Sequence, residues 1–408
     1  MSEKATRIGW IDEFKGFVLL LVCLFHVEQS FSCANMGMLH LSAMRMSAFF
    51  FISGMLFSTR RFPNFKDYLI HKTRVLLVPY ILLSLLFLAL DPVVYNFDLF
   101  PKAPRMTVMN IRPEIAGVWD YIYWNLAKIF VAGKSSIGSG PLWFVFTLYS
   151  VSLLFYGVQK AMTSKAITAV VAIISLAGGW LLYKNHIRLP LGIERDLTVL
   201  FFFACGWLSK EPIKKLSVDC FATRARNDVQ GYTARELAHA LDNRSCHGSK
   251  SNDVSSLRNS IILTTAAIVS FCAYAFIEIP DPNFSIMNND LGKDFRIFVA
   301  SSFFGITGLV ATFILADKLP NVAPIRILKG ILRNISRNAL VILAVHWYIL
   351  LVMRLLFRET FNRPGIAYAS IAIVAAGVIA AIPLFRCKLY KLLGKQPASV
   401  RDALNIQE

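Results

Sequence analysis

Near its N-terminus the chain carries the stretch RIGWIDEFKGFVLLLVCLFHVEQS, residues 7–30, in which a histidine, His26, interrupts an apolar run. The run is long enough to cross a bilayer as an α-helix, which takes about 20 residues. An ionisable side chain at membrane depth costs about 2.5 kcal/mol or more on insertion scales, so it usually faces a protein interior or a water-filled cavity. The stretch therefore predicts a membrane helix with a functional polar face.

The rest of the chain repeats this apolar character. Hydrophobic residues make up 56% of the 408 residues, and the charged residues cluster between long apolar runs. The pattern is typical of an all-α, polytopic transmembrane helix bundle. It predicts about ten spans, at residues 14–33, 41–58, 75–90, 142–159, 166–183, 196–209, 259–278, 295–316, 338–357 and 365–385.

The distribution of basic residues predicts the orientation. The chain has a net charge of +18, and 28 of its 43 Lys and Arg residues fall in the segments that are cytoplasmic if the N-terminus is cytoplasmic. Because cytoplasmic loops are rich in Lys and Arg, both termini are predicted to lie inside. This bias accounts for the basic net charge, so we predict membrane lipids as a partner of the protein and no nucleic acid.

Three segments between or after the spans are assigned separately. The aromatic, amphipathic stretch 118–130 predicts an interfacial or re-entrant helix, and residues 210–258 predict a basic cytoplasmic loop with a short helix at TARELAHAL. Residues 386–408 form a cytoplasmic tail. The seven cysteines include no Cys-x-x-Cys pair, so we predict no disulfide framework and no metal site.

Helical geometry groups the polar residues of the first span. Lys15 and His26 are eleven residues apart, which is three turns plus about 20° and a rise of about 16 Å, so the two share one face. Asp12 falls within about 60° of the same stripe. The first span thus predicts a polar stripe from its cytoplasmic end to about the middle of the bilayer or slightly beyond.

Other ionisable residues are predicted at related depths. Arg45 lies about one turn inside the outer end of the second span, where it requires an anion, and Glu28 is the obvious protein partner. His346 lies about 12 Å from the inner end of the ninth span. Lys72 and Arg74 precede the third span, either as positive-inside anchors or as phosphate ligands. Together these residues predict a pathway suited to proton transfer, with a basic inner mouth.

The motifs in this order resemble the acyltransferase 3 family of integral membrane acyltransferases, in particular its bacterial sugar O-acetyltransferase branch. IDEFKGFVLLLVCLFH resembles the family's opening motif, and RMSAFFFISGMLFS (45–58) resembles its second-span arginine followed by aromatic residues and Ser-Gly. The third, fourth and ninth spans carry HKTRVLLVPY (71–80), GPLWFVFTLYS (140–150) and SRNALVILAVHWYIL (336–350), which resemble family motifs in the same order.

The resemblance implies a single membrane acyltransferase domain over the chain, with no bound cofactor and with acetyl-CoA as cosubstrate. The acceptor would be a hydroxyl of a glycan or lipid-linked sugar, and the location the bacterial inner membrane. His26 would be the catalytic histidine, with Lys15 and Arg45 as further site residues and Lys72 and Arg74 binding the donor's phosphates. Asp12, Glu28, Trp143 and His346 are further candidates along the pathway.

Two points stay open at the level of sequence. The family's opening basic residue is usually arginine, and Lys15 keeps the charge but cannot make a bidentate contact. His26 could act as a general base or as a transient acyl carrier.

The alternative function is a proton-coupled transporter or flippase for a charged solute or lipid-linked sugar, although the chain shows no internal repeat.

Overall fold

The computed structural model describes residues 9–31, 33–60, 62–97, 107–162, 164–217, 249–277, 284–320, 322–357, 360 and 362–393. These residues fold as α-helices joined by loops and short 3₁₀ turns. The helices are α1 (Gly9–Ser30), α2 (Ser42–Met55), α3 (Phe65–Lys72), α4 (Val78–Asn96), α5 (Val118–Phe130), α6 (Trp143–Ala161), α7 (Lys165–Lys184), α8 (Ile193–Leu208), α9 (Ser249–Phe276), α10 (Phe295–Asp317), α11 (Ala323–Arg337), α12 (Ala339–Phe357) and α13 (Pro364–Cys387).

Each of the ten predicted spans coincides with a helix, which confirms the polytopic helical bundle. Seven helical segments among the described residues are long and apolar enough to cross a membrane. The other three, α1, α2 and α8, hold 22, 14 and 16 residues, and α1 also carries several charged residues. These three helices lie largely buried among the others, so protein rather than lipid surrounds much of their surface.

Several predicted boundaries need correction. The third span begins earlier, because α3, a π-helical segment (Thr73–Leu77) and α4 form one continuous helix over residues 65–96. Residues 210–217 and the first residues of α9 are helical, whereas the sequence pattern places them in the loop 210–258. The TARELAHAL helix lies outside the described residues, as does the tail beyond residue 393. The predicted helix at 118–130 is confirmed as α5.

The centre of the bundle is a close crossing of α2 and α8. A Cβ atom added at Gly54 would lie 1.8 Å from the carbonyl oxygen of Phe203, and one added at Gly206 would lie 1.8 Å from that of Phe51. Small residues allow membrane helices to approach with backbones in contact. The paired glycines therefore fix the spacing of these two short helices.

The inner half of α1 packs on α11. Gly16 faces the backbone of Leu332, and the buried Glu13 carboxylate accepts a hydrogen bond from Arg333 Nη2 at 2.5 Å. α11 is strongly amphipathic, with a basic face and with exposed apolar side chains at Ile327 and Ile331. Such a helix is typical of the membrane interface, and here it holds the inner end of α1 in place.

The periphery of the bundle exposes apolar side chains. They lie mainly on α7, α9 and α13, and include Ile173, Ile174, Ile261, Val269 and Ile379. In contrast, α1, α2, α8 and α12 bury both apolar and ionisable residues. This inside-out distribution is expected for a bundle whose outer helices contact lipid tails and whose central helices carry a functional site.

The glycine crossing yields a stability prediction. Gly54→Ala should lower the free energy of unfolding by about 1–3 kcal/mol, because the new methyl group overlaps the Phe203 carbonyl and forces α2 and α8 apart. Thermal unfolding of the detergent-solubilised protein measures this. Gly157→Ala in α6, where the added carbon would meet no atom within 4 Å, is the matched control and should leave stability unchanged or raise it slightly. Equal stability of the two variants would contradict the crossing.

Candidate active site

The two histidines of the predicted pathway form a hydrogen-bonded pair. His26 Nδ1 lies 2.8 Å from His346 Nε2, and the two rings stack with their centroids 5.1 Å apart. His26 is in the penultimate turn of α1, and His346 is in α12 with no exposed surface. Residues 320 positions apart in the chain thus meet between two central helices.

The hydrogen bonds determine which nitrogen carries each proton. His346 Nδ1 lies 2.6 Å from the carbonyl oxygen of Ile342, which can only accept, so Nδ1 must donate. In the neutral ring His346 Nε2 is then the acceptor, and His26 Nδ1 donates to it. The lone pair of His26 is consequently on Nε2, and no described residue hydrogen-bonds to that atom.

Two cavities meet at His26. The outer cavity has a volume of about 740 Å³ and the inner cavity about 330 Å³. Both are lined by His26, Gln29, Pro141, Trp143, Met287 and Asn288. The names follow the predicted orientation, because the outer cavity lies among the C-terminal ends of α1 and α12 and the loops beside them. An imidazole with an open nitrogen therefore stands at the junction of two spaces.

The inner cavity is mainly apolar. Its walls include Leu19 and Val22, which lie one to two turns of α1 inward of His26, and Phe49 and Leu343 from α2 and α12. Arg45 adds a positive charge to the wall of this cavity, and its side chain is buried. The Arg45 guanidinium lies over the Phe25 ring at 3.8 Å from its centroid. The cavity thus offers an apolar slot with a positive charge at its side.

Glu28 and Arg45 hold the same loop. The Glu28 carboxylate accepts backbone hydrogen bonds from Met36 and Met38 at 2.8 and 3.0 Å and from Leu39 at 3.3 Å. Arg45 Nη1 donates to the carbonyl of Met38. The predicted partners Glu28 and Arg45 thus both bind the backbone of Met38, and the charge of Glu28 acts on Arg45 without a direct ion pair between them.

A tight turn over residues 135–142 forms the wall between the cavities. The Ser135 hydroxyl donates to the Gly140 carbonyl and accepts from the Trp143 backbone N–H at 3.1 Å. Trp347, next to His346 in the chain, donates from its indole to the Ile137 carbonyl at 2.8 Å. The turn that precedes Trp143 is thus linked to the histidine pair through Trp347, the neighbour of His346 in the chain. Trp143 lines both cavities.

Behind this turn lies a buried carboxylate, Asp91, with no exposed surface. A Cβ added at Gly138 would lie 2.0 Å from Asp91 Oδ1, so only glycine allows the turn to approach this closely. Tyr121, Ser136 and the Gly138 backbone surround the carboxylate, but none of these groups reaches hydrogen-bond geometry with either oxygen. Asp91 is therefore packed beside the turn rather than bonded to it.

Basic side chains line the outer cavity. They are Lys128, Lys134, Arg188 and Arg354, and they share its walls with the carboxylates Glu194 and Asp290. Burial lowers the pKa of Lys134 to about 8, and the nearby charges of Arg195, Lys128 and Arg188 act in the same direction. The cavity thus concentrates positive charge at its wall.

The predicted site residues divide into two groups. His26, Arg45 and Trp143 line the cavities, and His346 and Glu28 contact residues that do. The second group, Lys15, Lys72 and Arg74, lines neither cavity, and Asp12 is buried near the inner end of α1. Because α1 is an unbroken helix, Lys15 stays on the His26 face but about 16 Å away along the axis. Its place at the reacting atoms remains a prediction.

Several cavity residues were not predicted from the sequence. Lys134 and Arg188 lie in predicted loops, and Lys128 lies in the predicted helix 118–130. Asp91, which lines neither cavity, falls just past the predicted third span because α4 extends six residues beyond that span. A signal was present for Arg195, which lies in the motif Ile-Glu-Arg-Asp at the start of an apolar run. Arg195 is 1% exposed and donates to the Gly133 carbonyl at 3.2 Å, holding the chain just before the 135–142 turn.

This arrangement suits proton abstraction from a group placed in the outer cavity. The open Nε2 of His26 can accept a proton, and His346 stabilises the orientation of the ring through Nδ1. Arg45 can stabilise negative charge that develops in the inner cavity. Within the described part of the chain, no group of three or more His, Cys, Asp or Glu side chains could hold a metal ion.

Comparison with known families identifies the family of the chain. A family model described as an acyltransferase domain matches residues 8–385, nearly the whole chain. The chain therefore belongs to the acyltransferase 3 family, and it is a multi-pass integral membrane protein with acyltransferase activity. Among curated proteins and solved structures, no significant match to the chain is found.

The tautomers of the pair give a spectroscopic prediction. In protein labelled with ¹⁵N-histidine, His26 and His346 should both show a protonated Nδ1 and an unprotonated Nε2 at neutral pH, because Ile342 can only accept. Magic-angle-spinning NMR in lipid bilayers measures this, and His26→Ala and His346→Ala assign the signals. A protonated Nε2 on neutral His26 would contradict the order of hydrogen bonds from His26 through His346 to Ile342.

Proposed function

We propose that this acyltransferase 3 family member transfers an acetyl group from acetyl-CoA to a hydroxyl of a glycan or lipid-linked sugar. The observation that carries the proposal is the open Nε2 of His26 at the junction of an apolar inner cavity and a polar outer cavity. A two-substrate transfer requires both substrates to reach one group from different sides. This junction has that property.

In the proposed reaction His26 is the general base. Its Nε2 takes the proton of the acceptor hydroxyl as the oxygen attacks the thioester carbonyl. The C–O bond forms, the C–S bond breaks, and the proton returns from His26 to the leaving thiolate. His346 holds Nδ1 of His26 and stabilises the imidazolium that forms between these two proton transfers. A transient acyl-histidine would use the same Nε2 as nucleophile.

The thioester end of the donor fits the inner cavity. Leu19, Val22 and Leu343 provide an apolar wall for the acetyl group and the adjoining arm, and Arg45 is the cation available to the carbonyl oxygen as it becomes negative. The buried setting of Arg45 favours this role, because a charge acts more strongly where water is excluded. Trp143 and Pro141 border this slot where it meets the outer cavity.

The phosphates of the donor would lie at the inner mouth. Arg74 is exposed on the π-helical segment Thr73–Leu77, and Lys72 precedes it by two residues. π-helical turns are rare and occur frequently at functional sites, because they widen the helix and redirect side chains. The position of Arg74 on such a turn supports donor binding over membrane anchoring alone.

Removal of the proposed base should abolish transfer. His26→Ala should lower the rate of acetyl transfer by at least about 100-fold, the usual contribution of a general base. The assay is radiolabel transfer from acetyl-CoA to a glycan fraction in membrane vesicles. His40→Ala is the matched control, since the His40 side chain is exposed and its backbone carbonyl, which the substitution keeps, accepts the bond from Tyr274. Full glycan labelling by His26→Ala would contradict the proposal.

The same assay separates positioning by His346 from packing. His346→Gln keeps a side-chain acceptor for His26 Nδ1, whereas His346→Leu removes it. Glutamine should therefore retain more activity than leucine at equal protein level and thermal stability. If the enzyme instead catalyses proton-coupled transport, His26→Ala would leave labelling unchanged and abolish uptake of a labelled solute.

Loss of the inner cations should weaken donor binding selectively. Lys72→Gln combined with Arg74→Gln should raise the KM for acetyl-CoA about tenfold, which corresponds to about 1.4 kcal/mol. The value of kcat should change little, because neither residue lines a cavity at His26. Lys165→Gln, at another exposed position on the inner side, is the control. An unchanged KM in the double variant would limit Lys72 and Arg74 to membrane anchoring.

A further inference from the structure

The walls of the outer cavity carry more positive charge than an ordinary sugar site needs. Among the described residues, the cations Lys128, Lys134, Arg188 and Arg354 face it together with the carboxylates Glu194 and Asp290. Glu194 lies 3.9 Å from Arg188 and accepts the Leu189 backbone N–H at 3.0 Å, so this pair offsets one cation with one carboxylate and leaves Lys128, Lys134 and Arg354 against Asp290. The described residues of the outer-cavity wall therefore carry an excess of positive charge.

Hydrogen bonds hold two of these cations in place. The Lys134 backbone carbonyl accepts a hydrogen bond from Tyr80 at 2.8 Å, and its ammonium donates to Asn288 Oδ1 at 3.1 Å. Arg188 donates to the Asn288 carbonyl. Asn288 also borders the junction at His26. The two cations thus converge on one residue that lines both cavities together with His26, so their positions are fixed before an anion binds.

Lys128 adds a cation whose ammonium donors are not used by the described residues. No described residue accepts a hydrogen bond from its ammonium, and the negative field that acts on it is that of the buried Asp91 behind the 135–142 turn. A partly buried ammonium without a hydrogen-bond acceptor is costly unless a ligand or water supplies one. An anionic ligand group would give Lys128 its acceptor, and it would also face Lys134 and Arg188, which donate to Asn288.

We infer that the outer cavity selects an anionic saccharide as the acetyl acceptor, one whose phosphate or carboxylate binds Lys128, Lys134 and Arg188 while a hydroxyl reaches His26. This inference rests on the proposed function and names the class of acceptor. The volume of about 740 Å³ is within the range of about 300–1,000 Å³ typical of small-molecule sites. The anion site lies on the outer side of His26, opposite the apolar slot assigned to the thioester.

Protonation of Lys134 supports this assignment and gives it a pH dependence. The groups around its ammonium are Lys128 on α5, Arg188 in the loop before α8, and Glu194 and Arg195 on α8. With a pKa of about 8 in the empty cavity, Lys134 is charged below pH 8 and becomes neutral above it. Anion binding should therefore weaken between about pH 7 and pH 9, one unit on either side of that pKa. Because burial also lowers the pKa of Lys128 to about 8, Lys134→Arg should remove part of this decline.

Direct binding tests the inference without relying on catalysis. Isothermal calorimetry on the full-length, detergent-solubilised protein would compare N-acetylglucosamine 1-phosphate, glucuronic acid and neutral N-acetylglucosamine. We expect at least one anionic sugar to bind about ten or more times as tightly as the neutral sugar. The two anionic probes distinguish a glycosyl phosphate from a uronic acid. Equal affinity for all three probes would overturn the inference.

Charge-removing variants locate the binding. Lys134→Gln and Lys128→Gln should each reduce the preference for the anionic sugar by about threefold or more, and the double variant should abolish it. Lys184→Gln, at an exposed position on the same side of the bundle, should keep the preference. Lys128→Gln removes no hydrogen bond to the described residues, so its fold is expected to persist. An undiminished preference in the double variant would overturn the assignment.

Two further measurements separate this inference from the proposed function. His26→Ala should keep the anion preference while losing transfer, so a binding result stands even if acetyl transfer is never observed. Coenzyme A should not displace the anionic sugar. Displacement that depends on Lys128 and Lys134 would assign these cations to the donor and overturn the acceptor assignment.

Discussion

The hydrogen bond between His26 Nδ1 and His346 Nε2 organises the site. Because His346 must donate its other proton to the Ile342 carbonyl, this bond leaves the lone pair of His26 on Nε2. The bond also joins the outer part of α1 to the middle of α12, and Trp347 extends the connection to the 135–142 turn. Two buried polar side chains are costly among apolar helices, and their mutual pairing offsets that cost.

The surrounding structure holds this pair at a fixed depth. At the inner end, the Glu13–Arg333 contact and the close packing of Gly16 on Leu332 attach α1 to α11. At the outer end, Arg195 holds the chain at Gly133, before the turn that carries Trp143. The buried charges therefore serve two different purposes, because some hold loops against the bundle and others face the cavities. Arg45 and Arg188 do both, because each donates to a backbone carbonyl and also lines a cavity.

Much of the bundle could be predicted from sequence because bilayer thickness fixes the length of apolar runs. The similar depth of His26 and Arg45 and the second histidine at 346 could be predicted from helix rise alone. The outer cavity could not, because Lys134, Arg188 and Asn288 come from three separate loops whose meeting depends on tertiary packing. Asp91 was missed because an aspartate followed by proline usually marks a helix boundary, whereas α4 continues through both residues.

The depth of His26 bears on what has to cross the membrane in the proposed reaction. His26 lies four residues before the end of α1, about 6 Å along the axis, and it pairs with His346 near the middle of α12. The inner cavity reaches inward from it along Leu19 and Val22, whereas the cations assigned to the donor's phosphates lie at the opposite end of the bundle. A charged nucleotide is strongly disfavoured in an apolar slot, and an acetyl thioester is not. Under the proposed function, the nucleotide would stay at the inner mouth, the thioester arm would reach toward the inner cavity, and only the acetyl group would pass to the acceptor.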